Sequence, residues 1–154
     1  MNKSLIKSKD NVRHISIIKK TASRICSAQV LYGASFFEND IDSLIESYME
    51  NYLEQVLIEL GIRKIDTDLF NSITKGVCRN KLSIDNIISR HLSKNWSFNR
   101  LSETEKSVLR LATYELLFDK RFKKNTIINE YISIIESFGG NPNFANAILE
   151  NISK

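Results

Sequence analysis

Apolar residues recur along this chain at the three- and four-residue spacing of an amphipathic α-helix. The clearest run extends from Ile41 to Leu60, where one stripe of apolar side chains is nearly complete. No segment alternates apolar and polar residues as a half-buried strand would. The pattern predicts seven helices: Ser16–Phe37, Ile41–Leu60, one from Asp66, one after Ser83, one from Ser102, one from Asn125 or Thr126, and one from Asn141.

Start and stop signals mark the ends of several predicted helices. Ser102 and Glu105 have the spacing of a capping box, in which each side chain bonds the backbone amide of the other residue. Asn141 followed by Pro142 is typical of a first helical turn. Gly139 tolerates the left-handed conformation that ends many helices. The stretch from Leu101 to Gly139 is therefore the best specified part of the chain.

The composition indicates an all-α protein of one domain. The chain has 154 residues, with only five glycines and one proline, and folds rich in strands and turns usually need more of both. Short connections between helices predict antiparallel neighbours in a bundle. We therefore expect a single helical domain over residues 15–154, with a seam between two sub-bundles at residues 80–83. A basic, flexible arm over residues 1–14 would precede it.

Positive charge is concentrated at the start of the chain. The net charge is +4, and residues 1–24 contain seven bases against one acid. A basic segment on a near-neutral body suggests a nucleic acid or an anionic membrane surface as partner, although a solvated leader has the same composition. The sequence contains neither an apolar run long enough to span a membrane nor a secretory signal. We therefore expect a cytoplasmic protein.

Residues that carry catalysis or bind metals do not cluster in the sequence. His14 lies in the basic arm, His91 lies on an apolar stripe, and Cys26 and Cys78 are far apart. The chain has neither a glycine-rich phosphate-binding loop nor a recognisable metal-binding motif. The sequence therefore predicts no enzyme, no cofactor and no metal site.

Two groups of basic residues suggest a binding function instead. Lys19, Lys20 and Arg24 lie close to one face of the first helix, and Tyr32 follows further along it. Lysine and arginine attract phosphates, and arginine also stacks on bases. Residues 120–124 contain a second group of bases in the loop after the fifth helix. A solvated charged face is the alternative interpretation of each group.

Three blocks of residues resemble the NusB family of bacterial transcription antitermination and ribosomal RNA biogenesis factors. The first block runs from Arg24 to Tyr32 and ends in Ala-Gln-x-Leu-Tyr. The second, Glu105–Leu116, reads EKSVLRLATYEL. The third joins INE at 128–130 and SFG at 137–139 to NFANAIL at 143–149. The second and third blocks come in the order and spacing expected of the family, and the match spans about residues 19–152.

The resemblance implies an all-helical fold of two small bundles without catalysis. It implies binding of boxA, a short single-stranded RNA element of ribosomal RNA leaders, together with ribosomal protein S10 (NusE). The pair would help RNA polymerase pass terminators. By position, the resemblance implies RNA contacts for Lys19, Lys20, Arg24, Tyr32, Phe144 and Asn146, an S10 contact near Glu105, and structural roles for Asn129 and Glu130.

Two alternatives remain open at this point. Some ribosomal RNA cytosine methyltransferases carry a NusB-like N-terminal domain, so the chain would be that RNA-binding domain without its catalytic part. Alternatively, the chain is a protein-interaction module that forms a homodimer, as some family members do. The first helix also has fewer arginines than the family usually has. RNA affinity is therefore expected to depend more on the basic arm and on S10.

Overall fold

The computed structural model describes the backbone of residues 3–154 and the side chains of residues 14–154. Within that part of the chain all regular secondary structure is helical, which confirms the predicted all-α class. A 3-10 helix at Phe98–Arg100 and a π-helix at Glu115–Asp119 accompany the α-helices. The α-helices are α1 (Lys3–Ala34), α2 (Ile41–Asn51), α3 (Leu53–Leu60), α4 (Thr67–Arg79), α5 (Lys81–His91), α6 (Glu103–Tyr114), α7 (Lys124–Ser137) and α8 (Pro142–Ile152).

The helices enclose two hydrophobic cores that share α1 and α4. The larger core contains buried residues of α1, α4, α5, α6, α7 and α8. The smaller core joins α1 to α2, with Tyr48 packed against Phe70 of α4. The expected seam at residues 80–83 is wrong, because Val77 and Ile84 on either side of it belong to the same larger core. The division instead runs lengthwise along α1 and α4, which are apolar on two faces.

The first helix is longer at its start than the sequence pattern predicts. Its backbone is helical from Lys3 and ends at Ala34, whereas the prediction was Ser16–Phe37. The polar run before Ser16 lacks an apolar stripe but also lacks proline and glycine, so nothing in it stops a helix. The flexibility expected of residues 1–14 stays a prediction, and the side chains of residues 1–13 lie outside the described part.

The predicted helix Ile41–Leu60 is divided in two at Tyr52. The backbone of Tyr52 leaves helical geometry, with φ −123° and ψ −30°. Just before it, the side chain of Asn51 donates to the carbonyl of Ser47 at 2.9 Å. Such side-chain bonds to the preceding turn compete with the helix and often bend it. An amphipathic stripe does not reveal this kink, since the apolar spacing continues through it.

Most predicted helix caps are confirmed. Asp66 accepts from the amide of Leu69 at 3.1 Å, and Asn141 accepts from the amide of Phe144 at 3.2 Å. The capping box of Ser102 and Glu105 has both of its bonds, at 3.0 and 3.2 Å. Two predicted starts are wrong. The helix expected after Ser83 is α5, which begins at Lys81, and α7 begins at Lys124 and not at Asn125 or Thr126; neither N-cap, Asn80 or Lys123, makes a side-chain capping bond.

Candidate nucleic-acid interface

Arg24, expected on the RNA-binding surface, lies in the interior of the protein. Its side chain is 2% exposed. Its Nε and Nη2 donate to the two carboxylate oxygens of Glu115 at 2.8 and 3.1 Å. Its Nη1 lies 3.6 Å from Oε2 of Glu130. The bidentate geometry matches the planar fork of the guanidinium to a carboxylate, so α1 is held to the end of α6 and to α7.

Aromatic rings complete the surroundings of this arginine. The ring of Phe122 has its centroid 4.9 Å from the Arg24 guanidinium carbon, and the hydroxyl of Tyr131 donates to Glu115. Burial alone would lower the pKa of Arg24, but the hydrogen bond and the charge of Glu115 outweigh it and raise that pKa. Burial and the Glu115 charge raise the pKa of the Tyr131 hydroxyl well above its usual value. The expectation that Arg24 contacts RNA is therefore corrected, because its charge is neutralised inside the protein.

A π-helical turn positions the acid that Arg24 needs. The backbone from Glu115 to Asp119 has π-helical geometry, and the amide of Lys120 reaches the carbonyl of Glu115 at 3.2 Å. π-Turns of this kind are rare and widen the helix locally. Glu115 is buried at this point and faces Arg24 across the core. The sequence signal for the buried pair is Glu115 as the single charged residue between Leu111 and Phe118, and the periodicity did not reveal it.

Of the two residues expected to tie α7 to its neighbours, Glu130 does so. Its Oε2 accepts from the hydroxyl of Thr21 on α1 at 2.8 Å, and it also approaches Arg24. Asn129 is exposed, so the structural role expected of it is wrong. The periodicity explains the position of Glu130, which lies three residues after the buried Ile127 and four before the buried Ile134, on the face towards α1.

Lys19 and Lys20 remain partly exposed on α1. The ammonium of Lys20 donates to the hydroxyl of Ser16 one turn earlier, at 2.8 Å. Lys19 lines a polar cleft of about 340 Å³ together with Lys64 and the start of α4 at Asp66. Among the side chains that the structure describes, neither lysine forms an ion pair, so both can reach a phosphate from this end of α1.

The second basic group, in residues 120–124, is partly paired within the protein. Lys124 lies 3.5 Å from Glu150, and Arg121 lies 3.6 Å from Asp119 and donates to Ser72 at 3.3 Å. Lys120 has a left-handed backbone with φ 56°, which turns the chain after the π-helix. These pairings favour a structural role for much of this group.

Tyr32 lies close to the predicted partner residue and far from the lysines. It is 45% exposed and packs edge-on against Phe36, with ring centroids 5.1 Å apart. A shallow, mainly apolar cleft of about 270 Å³ joins Tyr32 to Thr104 and Phe138. Thr104 is the neighbour of Glu105, whose Oε1 is already used by the capping box. The structure therefore brings Tyr32 and Glu105 to one end of α6.

Phe144 and Asn146 occupy the start of α8 beside a tryptophan that sequence reasoning missed. Phe144 packs partly into the larger core, and Asn146 is exposed. The ring of Trp96 lies 5.7 Å from that of Phe144, tilted by 40°, and Trp96 is 51% exposed. Trp96 belongs to no helical stripe. Two features of the sequence mark Trp96 as a candidate: it is the single tryptophan, and it lies in a segment without acidic residues.

The six residues expected to contact RNA do not form one patch. Because Arg24 meets Glu115 and Tyr32 meets Thr104, α1 and α6 are antiparallel and the lysines lie at the opposite end from Tyr32. The distance from Lys20 to Tyr32 along the helix axis is about 18 Å, at about 1.5 Å per residue. An RNA that touched the five surface residues would have to extend along the protein.

The described residues show no alternative metal-binding or membrane-spanning feature. In that part of the chain, His, Cys, Asp and Glu form no group of three or more that could hold a metal ion. His91 bonds the carbonyl of Ile87 at 2.8 Å, as a helix-packed histidine does. None of the described helices combines the length and apolar character needed to cross a membrane.

Comparison with known proteins identifies relatives of this chain. A model of the NusB family matches residues 21–154. The transcription antitermination protein NusB of Fervidobacterium nodosum is 45% identical over 87 residues, which are 55% of this chain and 61% of that protein. The chain thus spans less than two thirds of the length of this relative.

Solved structures have the same fold. T. maritima NusB superimposes with a TM-score of 0.63 at 33% identity, covering 87% of this chain and 89% of that one. A crystal structure of antitermination factors NusB and NusE in complex with dsRNA gives a TM-score of 0.69 at 22% identity, covering 88% and 96%. At 22% identity the second likeness shows the fold alone.

Proposed function

The chain belongs to the NusB family, and we propose that it is a non-enzymatic, RNA-binding transcription antitermination factor. In this proposal it binds boxA-type single-stranded RNA of ribosomal RNA leaders together with ribosomal protein S10 (NusE). The pair acts in the cytoplasm within an RNA polymerase antitermination complex. The observation that carries the proposal is the family match over residues 21–154, which includes nearly all of the described side chains.

The surface chemistry of the described residues supports RNA as the ligand. Lys19 and Lys20 supply cationic contacts for phosphates, which provide most of the affinity in such complexes. Tyr32 supplies an exposed aromatic face, and Asn146 supplies an amide with both donors and an acceptor. Arg24 contributes indirectly, because its ion pair with Glu115 fixes α1, on which the lysines stand.

The S10 contact is proposed for the start of α6 at Glu105. The cleft between Tyr32, Thr104 and Phe138 there is shallow and mostly apolar, as protein interfaces are at their centre. Glu105 uses Oε1 for the capping box, and in the proposal its other oxygen accepts from the partner. RNA and S10 that contact each other across this cleft would bind cooperatively, because each would add a contact for the other.

The experiment that tests the function is a fluorescence-anisotropy titration of labelled boxA RNA, with and without S10, at 50 and 200 mM salt. We expect S10 to tighten binding. Two phosphate contacts would lower the affinity roughly sevenfold between the two salt concentrations, from a slope of about −0.7 per phosphate on single strands. No tightening by S10 would contradict the partnership, and affinity independent of salt would contradict the phosphate contacts.

A pair of charge-matched variants locates the RNA surface. Replacing both Lys19 and Lys20 by alanine is expected to weaken RNA binding while the far-ultraviolet circular dichroism stays unchanged. The control replaces Arg79 and Lys81 by alanine. These are two exposed bases at the turn between α4 and α5, so the control removes the same amount of positive charge from a different surface. Equal weakening by both double variants would show that net charge, and not the α1 surface, determines affinity.

A further inference from the structure

The side chain of Trp96 is unusual because half of it is exposed while the other half is held in place. It lies in the loop between α5 and the 3-10 helix at Phe98–Arg100, where its ring leans on Phe144 of α8. It is the only tryptophan of the chain, and it is 51% exposed. Phe144 is itself anchored in the larger core. The indole is therefore fixed from behind and presents its outer part to the solvent.

The surroundings of Trp96 favour an anionic ligand. The sequence has no acid between Asp85 and Glu103, whereas Arg90, Lys94 and Arg100 all lie in that interval and are exposed. On the facing α8, no charged residue occurs between Glu136 and Glu150, and the exposed side chains there include Asn143 and Asn146. Three exposed bases, for which the described residues show no ion pair, therefore lie within six positions of Trp96 in the chain, and exposed amides flank Phe144, which its ring contacts.

This combination suits the unpaired bases of a single-stranded nucleic acid. A flat aromatic ring offers a stacking surface to any base, and neighbouring lysines and arginines hold the phosphates on either side. Amide side chains add hydrogen bonds to base edges or sugars. Because Phe144 already restricts the ring, stacking on Trp96 would cost little side-chain entropy.

We propose that Trp96 is a base-stacking residue, on which one unpaired base of a bound single-stranded RNA lies while Lys94 and Arg100 contact the flanking phosphates. The proposal rests on the RNA-binding function above and assigns to it a site outside the positions that the family resemblance identified. It also explains what Phe144 does, since Phe144 supports the stacking ring from behind.

The single tryptophan makes the test direct. The full chain is titrated with boxA RNA while anisotropy of the labelled RNA and tryptophan emission of the protein are followed in parallel. Stacking quenches indole emission, so quenching should saturate together with the anisotropy. An abasic strand of the same length, which has the phosphates without the bases, should bind more weakly and leave the emission unchanged. RNA binding without quenching, or equal quenching by the abasic strand, would overturn the proposal and leave the proposed function intact.

Variants measure the contribution of stacking to affinity. Trp96→Ala is expected to weaken RNA binding roughly 5- to 150-fold, and Trp96→Phe much less, because an aromatic face remains. The control is Leu82→Ala, which removes another exposed apolar side chain (77% exposed) at the opposite end of α5 and should not change affinity. Unchanged affinity of Trp96→Ala would refute stacking.

Two further outcomes separate the possible ligands. If no RNA binds at all, the proposed function fails and the stacking site fails with it. If tryptophan emission responds to S10 but not to RNA, measured as the difference between the wild-type chain and Trp96→Phe, the surface around Trp96 is a protein contact and the proposal is wrong.

Discussion

Replacing Arg24 by methionine tests whether its charge belongs to the interior or to the RNA surface. The side chain is 2% exposed and forms an ion pair with Glu115, whose side chain is 1% exposed. Methionine keeps an unbranched stem of similar length but leaves the carboxylate of Glu115 without its bidentate partner. The hydroxyl of Tyr131 would remain as a donor to that carboxylate.

The cost of this substitution follows from the burial of the pair. Removing one partner of a buried ion pair destabilises a protein by about 3–5 kcal/mol, because the remaining charge is left without compensation. Domains of this size have a total free energy of unfolding of about 5–15 kcal/mol. With a urea m-value of about 2 kcal/mol per molar, the unfolding midpoint should fall by roughly 2 M.

The assay is urea denaturation followed by circular dichroism, with Lys20→Met as the matched control on the same helix. Lys20→Met should change the free energy of unfolding by less than about 1 kcal/mol, since Lys20 is partly exposed. A double variant, Arg24→Met with Glu115→Leu, should recover much of the loss, because no buried charge then remains. The reasoning is refuted if Arg24→Met costs no more than Lys20→Met, or if it lowers RNA affinity more than Lys20→Met while fully folded.

Three other predictions concern packing, capping and ionisation. Gly76→Ala should lower the free energy of unfolding by about 1–3 kcal/mol in urea denaturation, because the added methyl would overlap the ring of Tyr114. The control Gly33→Ala should not lower it in this way, because the added methyl there meets open space. Equal stability of the two variants would contradict the close packing at Gly76. Asn141→Ala should lose about 0.5–2 kcal/mol through its missing N-cap, visible as a lower melting temperature, and an unchanged melting temperature would contradict the cap. The folded protein raises the pKa of Tyr131, so the contribution of Tyr131 to the free energy of unfolding is fully present below pH 10 and falls by about 1.4 kcal/mol per pH unit above it. A Tyr131→Phe variant should therefore lose stability less steeply above pH 10, and parallel losses in the two proteins would refute this.

The parts of the fold that could be predicted from the sequence depend on residues close together in the chain. Asp66, Ser102 and Asn141 form their caps with amides two or three residues away, so a local pattern is sufficient. The kink at Tyr52 is also local, but it leaves the apolar periodicity unchanged and was missed for that reason. The start of α7 was misplaced because Lys123 provides no side-chain cap for a pattern to reveal.

The parts of the candidate site that could not be predicted depend on residues far apart in the chain. Arg24 is buried because Glu115, 91 positions later, turns inward to meet it. A basic residue four positions after a lysine pair looks like part of a charged surface until that partner is known. The place of Trp96 in the site becomes visible only from its contact with Phe144, and that of Tyr32 only from the cleft that it shares with Thr104. The family resemblance led to the proposed function, but it does not indicate which of these side chains are exposed in this chain.

The measurement that tests the central claim most directly is the affinity of the chain and S10 together for boxA RNA, compared with a scrambled RNA of equal length and composition. Both strands present the same phosphates, so the ratio of the two dissociation constants measures recognition of the base sequence alone. We expect boxA RNA to bind more tightly than the scrambled RNA, and we expect this preference to fall when S10 is omitted. Equal dissociation constants for the two strands would contradict this expectation.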